Sequence, residues 1–192
     1  MARAGEVRTT LGGAHATRCA DDAMPVVYGY AAVFNSPTWV TESTGKRMVE
    51  SIRPGAFARL LRSDPDIPMV IAHKSHRELA RTSDGSLKLE EDEHGLRFLF
   101  VPRDNYGLVW VEEVRAGDVG ASISMNQTRS EWRTDGKTNV REVLEVGYLI
   151  DVCLTRSPCY RATFAAVHDQ AGPIDPWTLH SRRRLWRAET QF

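Results

Sequence analysis

The sequence predicts a β-rich α+β domain. Three observations predict it. About seven short runs are dense in apolar, β-branched or aromatic residues, or alternate apolar with polar, as strands do. Two segments instead carry helical spacing. Strands and helices do not alternate regularly, which sets the chain apart from parallel α/β folds. A small barrel or closed sheet would leave so many strands without free edges; the periodicity supports strands without establishing closure.

Each element follows from local signals. Residues 1–24 are rich in Ala, Arg, Thr and Gly with no sustained period, and read as a loose N-terminal arm. Val26 to Phe34 is the first strand, and Asn35-Ser36-Pro37 breaks it. Arg47 to Ile52 is the second. Pro54-Gly55-Ala56-Phe57 opens a short helix, proline suiting its first turn, with Phe57, Leu60 and Leu61 on one face. Ile67 to Ala72 is a third strand and His73 stands at its end. Ser86 to Glu90 and Leu96 to Phe100 alternate around a charged turn closing at Gly95, which makes a hairpin. Asp104 caps a helix from Asn105 to Ala116 with Leu108, Val111 and Val114 as its apolar stripe, and Gly117 ends it. Val119 to Met125 is a strand with small residues at its centre. Glu131 to Val140 is a polar hairpin turning at Asp135-Gly136, and Val143 to Leu154 supplies the last strands. Residues 25–167 thus form one domain. Residues 168–192 form a polar, proline-interrupted tail ending in the basic Arg182-Arg183-Arg184-Leu185-Trp186-Arg187.

The totals narrow the function classes. The 192 residues suffice for one domain with a real core plus tails. The 25 basic and 25 acidic side chains balance, so global charge gives no argument for nucleic acid. The basic stretch at 182–187 could meet phosphates, but a solvated tail is the plainer reading. Three widely spread cysteines do not make a disulfide framework. Cys153 and Cys159 lack a second pair at zinc-finger spacing and read as reduced thiols, Cys153 as a small buried residue of a strand. No apolar segment approaches membrane-spanning length. No continuous apolar stretch at the N-terminus suggests a signal peptide. A soluble, cytoplasmic protein is expected, with no cofactor, for which no fingerprint is present.

Three residues on three strands carry chemistry together: His73, Ser122 and Asp151. A serine is a poor nucleophile until a base takes its proton, and histidine titrates in the right range to be that base. The histidine needs an acid to fix its tautomer and stabilise its charged form. Asp151 interrupts an apolar strand, where an unpaired charge costs several kcal/mol, on the order known for buried ions. It wants a partner, and His73 or Arg156 would serve. Ser124 lies two residues from Ser122 on the same face, so spacing alone leaves either as nucleophile. His76 rivals His73. The pair of histidines lacks the glutamate and helix of a metalloprotease motif, and Pro68 disfavours a helix there. Gly120-Ala121-Ser122-Ile123-Ser124 has serine where the nucleophile elbow has its last glycine, and no helix pattern follows, which excludes an α/β-hydrolase.

From residue 26 to residue 167 the chain resembles the prohead maturation proteases of tailed bacteriophages, relatives of the herpesvirus assemblins. The resemblance rests on segments in order: Gly29-Tyr30-Ala31-Ala32-Val33-Phe34, then Glu50-Ser51-Ile52-Arg53-Pro54-Gly55-Ala56-Phe57, then the strand ending in His73. Asp92-Glu93-His94-Gly95-Leu96 follows, then Gly120-Ala121-Ser122-Ile123-Ser124-Met125, then Leu149 to Tyr160 with its Ser157-Pro158-Cys159-Tyr160 turn. The resemblance implies Ser122 as nucleophile, His73 as base and Asp151 as the acid. It implies a small β-barrel flanked by helices, no metal, and a serine endopeptidase. Its substrates would be scaffold and major capsid protein segments inside an assembling prohead in the host cytoplasm, often with self-cleavage. A homodimer is in keeping with the herpesvirus relatives, which dimerisation activates. The chain departs from the family pattern at Ser124 (usually Gly), Met125 (usually Phe), Lys74, Cys159 and Asp151, where many relatives carry Glu. An inactive capsid-assembly factor on the same fold, docking through its tails, is the alternative; the intact Ser, His and acid set argues for catalysis.

Overall fold

Alternating apolar side chains draw residues 25–41, 44–160 and 162–168, the part described in a computed structural model, into ten strands and two helices. In chain order they are β1 (Val26–Val33), β2 (Thr38–Thr41), β3 (Arg47–Ile52), α1 (Ala58–Arg62), β4 (Pro68–Ile71) and β5 (Lys74–Arg81). Then come β6 (Leu87–Glu91), β7 (Gly95–Phe100), α2 (Asn105–Ala116), β8 (Gly120–Asp135), β9 (Thr138–Thr155) and β10 (Phe164–His168). The expected arm over 1–24, and the tail beyond His168, lie outside the described residues.

The strands pair into two sheets. One has the antiparallel order β10-β1-β7-β6. Gly29 in β1 admits β10 closely, since a Cβ there would fall 2.0 Å from the Phe164 carbonyl oxygen. The other sheet is organised by β9, 18 residues long. Its first half pairs in parallel with β3, and its second half in parallel with β4. Its opposite edge carries β8, antiparallel along the whole length. No ladder closes one sheet onto the other among the described residues. Both sheets contribute to one core, including Phe34, Phe57, Phe98, Phe100, Ile52, Ile71, Val152 and Leu154. Each large apolar side chain so buried contributes roughly 1.5–3 kcal/mol.

The helices follow their signals. Asp104 caps α2 by accepting from the Gly107 N–H, and Gly117 ends it at φ 81°. Val111 and Val114 are buried, with Leu108 packed on the core beside them. The first helix starts later than expected. Gly55 has φ 89°, outside helical space, so residues 54–57 form a turn and Phe57 becomes the N-cap. Glu91 of β6 accepts from the N–H groups of Gly55 (2.6 Å) and Phe57 (2.8 Å), which satisfies donors no helix turn reaches.

One buried charge braces the β9 sheet. Glu50 of β3 is 4% exposed. Its carboxylate lies 2.9 Å from Arg141 Nη1 of β9 and accepts the Tyr160 hydroxyl proton. Burial, then the Glu50 charge, push the Tyr160 phenol above its ordinary pKa, so it stays a donor. Removing one member of a buried pair leaves the other uncompensated. Arg141→Ala should therefore destabilise the domain by about 3 kcal/mol, read as a lowered urea midpoint with an unchanged slope.

Candidate active site

His73 owes its place to a tight turn. Ile71 pairs with Lys74, leaving Ala72 and His73 as a two-residue loop between β4 and β5. Their φ values are 49° and 57°, both left-handed. Two-residue hairpins ask for this conformation, because it matches the twist of the flanking strands. Neither residue is glycine, so each bears strain of about 1–3 kcal/mol. The Ala72 N–H donates to the Leu154 carbonyl (2.9 Å), pinning the turn to the end of β9. Ala72→Gly should relieve part of the strain and raise stability by about 1 kcal/mol, seen as a higher melting temperature with the site intact.

The strand register sets the rest. On β8 and β9, Ala121, Ile123, Val152 and Leu154 turn into the core. Successive side chains alternate faces, so Ser122, Ser124, Asp151 and Cys153 share the opposite one. Ser122 lies directly across from Cys153, and Ser124 across from Asp151. The start of β8 is braced by Thr163, whose hydroxyl lies 2.5 Å from the Ala121 carbonyl oxygen and 2.7 Å from that of Tyr160.

His73 reaches over this face. Its Nδ1 is 2.6 Å from Asp151 Oδ1, and its Nε2 is 3.3 Å from Cys153 Sγ. Asp151 is buried, whereas the His73 side chain is 38% exposed. Arg156, the other partner open to Asp151, is instead bound to Glu113 of α2. His76 is exposed on β5. Ser122 is 1% exposed, on the same face as the His73–Asp151 pair, and no hydrogen bond joins it to His73. The partner of Nε2 in this arrangement is Cys153, which sequence reasoning treated as core filling. It is indeed fully buried. The available signal was its spacing, two residues from Asp151 and so on the same face.

Electrostatics follow from these contacts. The hydrogen bond to Asp151, then that to Cys153, raise the His73 pKa from 6.5 to about 10, against the desolvation that lowers it. The ring therefore carries its second proton at neutral pH in this arrangement. His73, Asp151 and Cys153 hold ligand-type atoms within 4.8 Å of one another. Together they would supply three of the four donors that a tetrahedral site needs.

A family model described as caudovirus prohead serine protease matches residues 14–173. Among solved structures, the Kaposi's sarcoma herpesvirus protease in complex with a hexapeptide phosphonate inhibitor is similar, with a TM-score of 0.51 at 13% identity. The match covers 86% of this chain and 77% of that one. The same herpesvirus protease in complex with an allosteric inhibitor is matched over 85% of this chain and 91% of that chain, with a TM-score of 0.46 and 14% identity. No curated protein matches the chain. At such identity the structural likeness speaks to the fold: a β-rich domain with few helices, like that of the herpesvirus protease. The sequence match spans most of the chain, and by it the chain belongs to the caudovirus prohead serine protease family.

Proposed function

We propose that this protein is the serine endopeptidase that cleaves scaffold and capsid-protein segments, its own chain among them, inside the assembling prohead. The observation that carries the reading is the His73–Asp151 pair at 2.6 Å, set on the face to which Ser122 also belongs. Ser122 Oγ attacks the peptide carbonyl while His73 Nε2 takes its proton and passes it to the leaving amine. Asp151 holds the Nδ1 proton and stabilises the imidazolium that forms. We also read the two sheets as halves of a nearly closed barrel, which would keep these strands in fixed register.

The family match supports capsid maturation in general. Among the described residues no helix is long and apolar enough to cross a membrane. The test is co-expression with the cognate major capsid protein and scaffold, wild type beside Ser122→Ala, read by intact mass. Loss of a defined peptide with wild type alone bears out the proposal. Identical masses with particles still assembling would sink it in favour of a non-catalytic assembly factor.

A further inference from the structure

We propose that Cys153 is a positioning residue that holds the catalytic base at rest, and that His73 must leave its thiol for Ser122 before each round of cleavage. The inference rests on the serine-protease reading above and adds a control element to the same site.

The geometry makes the two partners exclusive. Asp151 occupies Nδ1, so only Nε2 can take the serine proton. An imidazole nitrogen has one in-plane position for a hydrogen-bond partner. Cys153 Sγ fills it at 3.3 Å. Ser122 is the residue directly opposite Cys153 on the neighbouring strand. Opposed residues of an antiparallel pair have Cβ atoms about 5 Å apart, so thiol and hydroxyl lie within reach of a single ring. A small rotation about the Asp151 hydrogen bond exchanges one for the other. The turn carrying His73 is pinned to Leu154, so the ring swings while its backbone stays.

At rest the protonated ring donates its Nε2–H to the Cys153 sulfur. As that contact breaks, the proton passes to solvent water, to which the His73 side chain is 38% exposed. Nε2 then arrives at Ser122 with its lone pair free. The Oγ–H proton then passes to Nε2 as the Oγ–C bond to the substrate forms. Leaving the thiol costs one hydrogen bond, which slows the reaction wherever the exchange precedes attack.

Among the described residues no other charged group is a cause of the ring's shift. Asp151 and Cys153, both on β9, are the groups that shift its titration. Lys74, His76 and Arg77 of β5 are exposed. Glu113 of α2 is engaged by Arg156. From β8 the same face carries the hydroxyls of Ser122 and Ser124.

The test compares wild type with Cys153→Ala and the closer-packed Cys153→Val, each first checked by thermal melting. His73 ring nitrogens are titrated by NMR in the Ser122→Ala background, which does not cleave, and cleavage of the capsid substrate is followed in the active proteins. The brake predicts that Cys153→Ala or Cys153→Val lowers the His73 pKa and raises kcat about three- to tenfold, the worth of one neutral hydrogen bond, with KM unchanged. Should Cys153→Ala fail to fold, Cys153→Val decides alone. An unchanged His73 titration overturns the inference, as does a kcat that falls or stays constant in a folded variant. A shifted titration with no cleavage even by the Ser122-containing proteins refutes the protease reading instead; the braking role falls with it and only the Cys153–His73 contact stands.

Discussion

Ser122→Ala should lower the cleavage rate by about 10⁴–10⁶ and leave the fold in place. The two halves of this expectation have separate physical grounds. The rate loss follows because no other hydroxyl on this face has the same register to His73. Ser124 is two residues further along and faces Asp151, not the Cys153 position that Nε2 now occupies. Ser124→Ala should accordingly keep most activity, and equal losses in both variants would mean that the nucleophile is misassigned. Stability should hold because the Ser122 hydroxyl is not bound to His73, so its removal breaks no such bond. Replacing an unengaged buried hydroxyl with hydrogen is near neutral, within about 1 kcal/mol. Matching melting curves for wild type and Ser122→Ala, beside a mass difference in the capsid protein, would separate lost chemistry from lost structure.

The fold was legible where side chains must choose a face, and obscure at the margins of the sheets. The hairpin of β6 and β7 alternates cleanly because one face of each strand enters the core. Helix α2 was bounded to the residue by Asp104 and Gly117. The strands that went unread are β2, β5 and β10; all three are outermost in their sheets, as β6 is, but none was read by the apolar-polar alternation that marks β6. An edge strand packs less and owes less to burial. The exposed half of β5, Lys74-Ser75-His76-Arg77, shows the consequence, with four solvent-facing residues in a row and no period to detect. Three interruptions were equally instructive. Gly55 at positive φ delays α1, and Ala72 and His73 adopt left-handed values that no residue-type rule would assign them. The candidate residues His73 and Asp151 could be picked by chemistry alone, since each sits at or in an apolar strand and wants a partner. The contact between Cys153 and His73 could not be. It depends on the parallel register of β4 with β9, which sets Ile71 level with Leu154, so that the His73 side chain reaches back from the following turn to Asp151 and Cys153; pairwise register across a long connection leaves no local mark.

Asp151→Asn should cost less than loss of the nucleophile at neutral pH, and its deficit should widen as pH rises. Asp151 is the largest cause of the raised His73 pKa, about 10 against an ordinary 6.5. In wild type the free enzyme therefore holds its base mostly protonated at pH 7, and kcat/KM should climb with pH toward that value, since this ratio reports the ionisations of the free enzyme. Asparagine can still accept from Nδ1–H but removes the negative charge, so the alkaline limb should move toward 6.5, part of the way, because the Cys153 contact persists. The variant thus regains unprotonated base near neutrality while losing the tautomer control and charge stabilisation that are worth about 10³–10⁴ in rate in triads of this kind. These opposing effects leave the wild-type advantage small near pH 7 and large near pH 10. Folding stability carries the same signature with the opposite slope. A raised folded-state pKa adds stability that is complete below 6.5 and is lost as pH rises through about 10. Wild type should therefore lose melting temperature relative to Asp151→Asn across that alkaline window, just where its catalytic advantage grows. A pH-independent activity ratio would show that Asp151 does not set the protonation of His73, and would remove the acid from the triad.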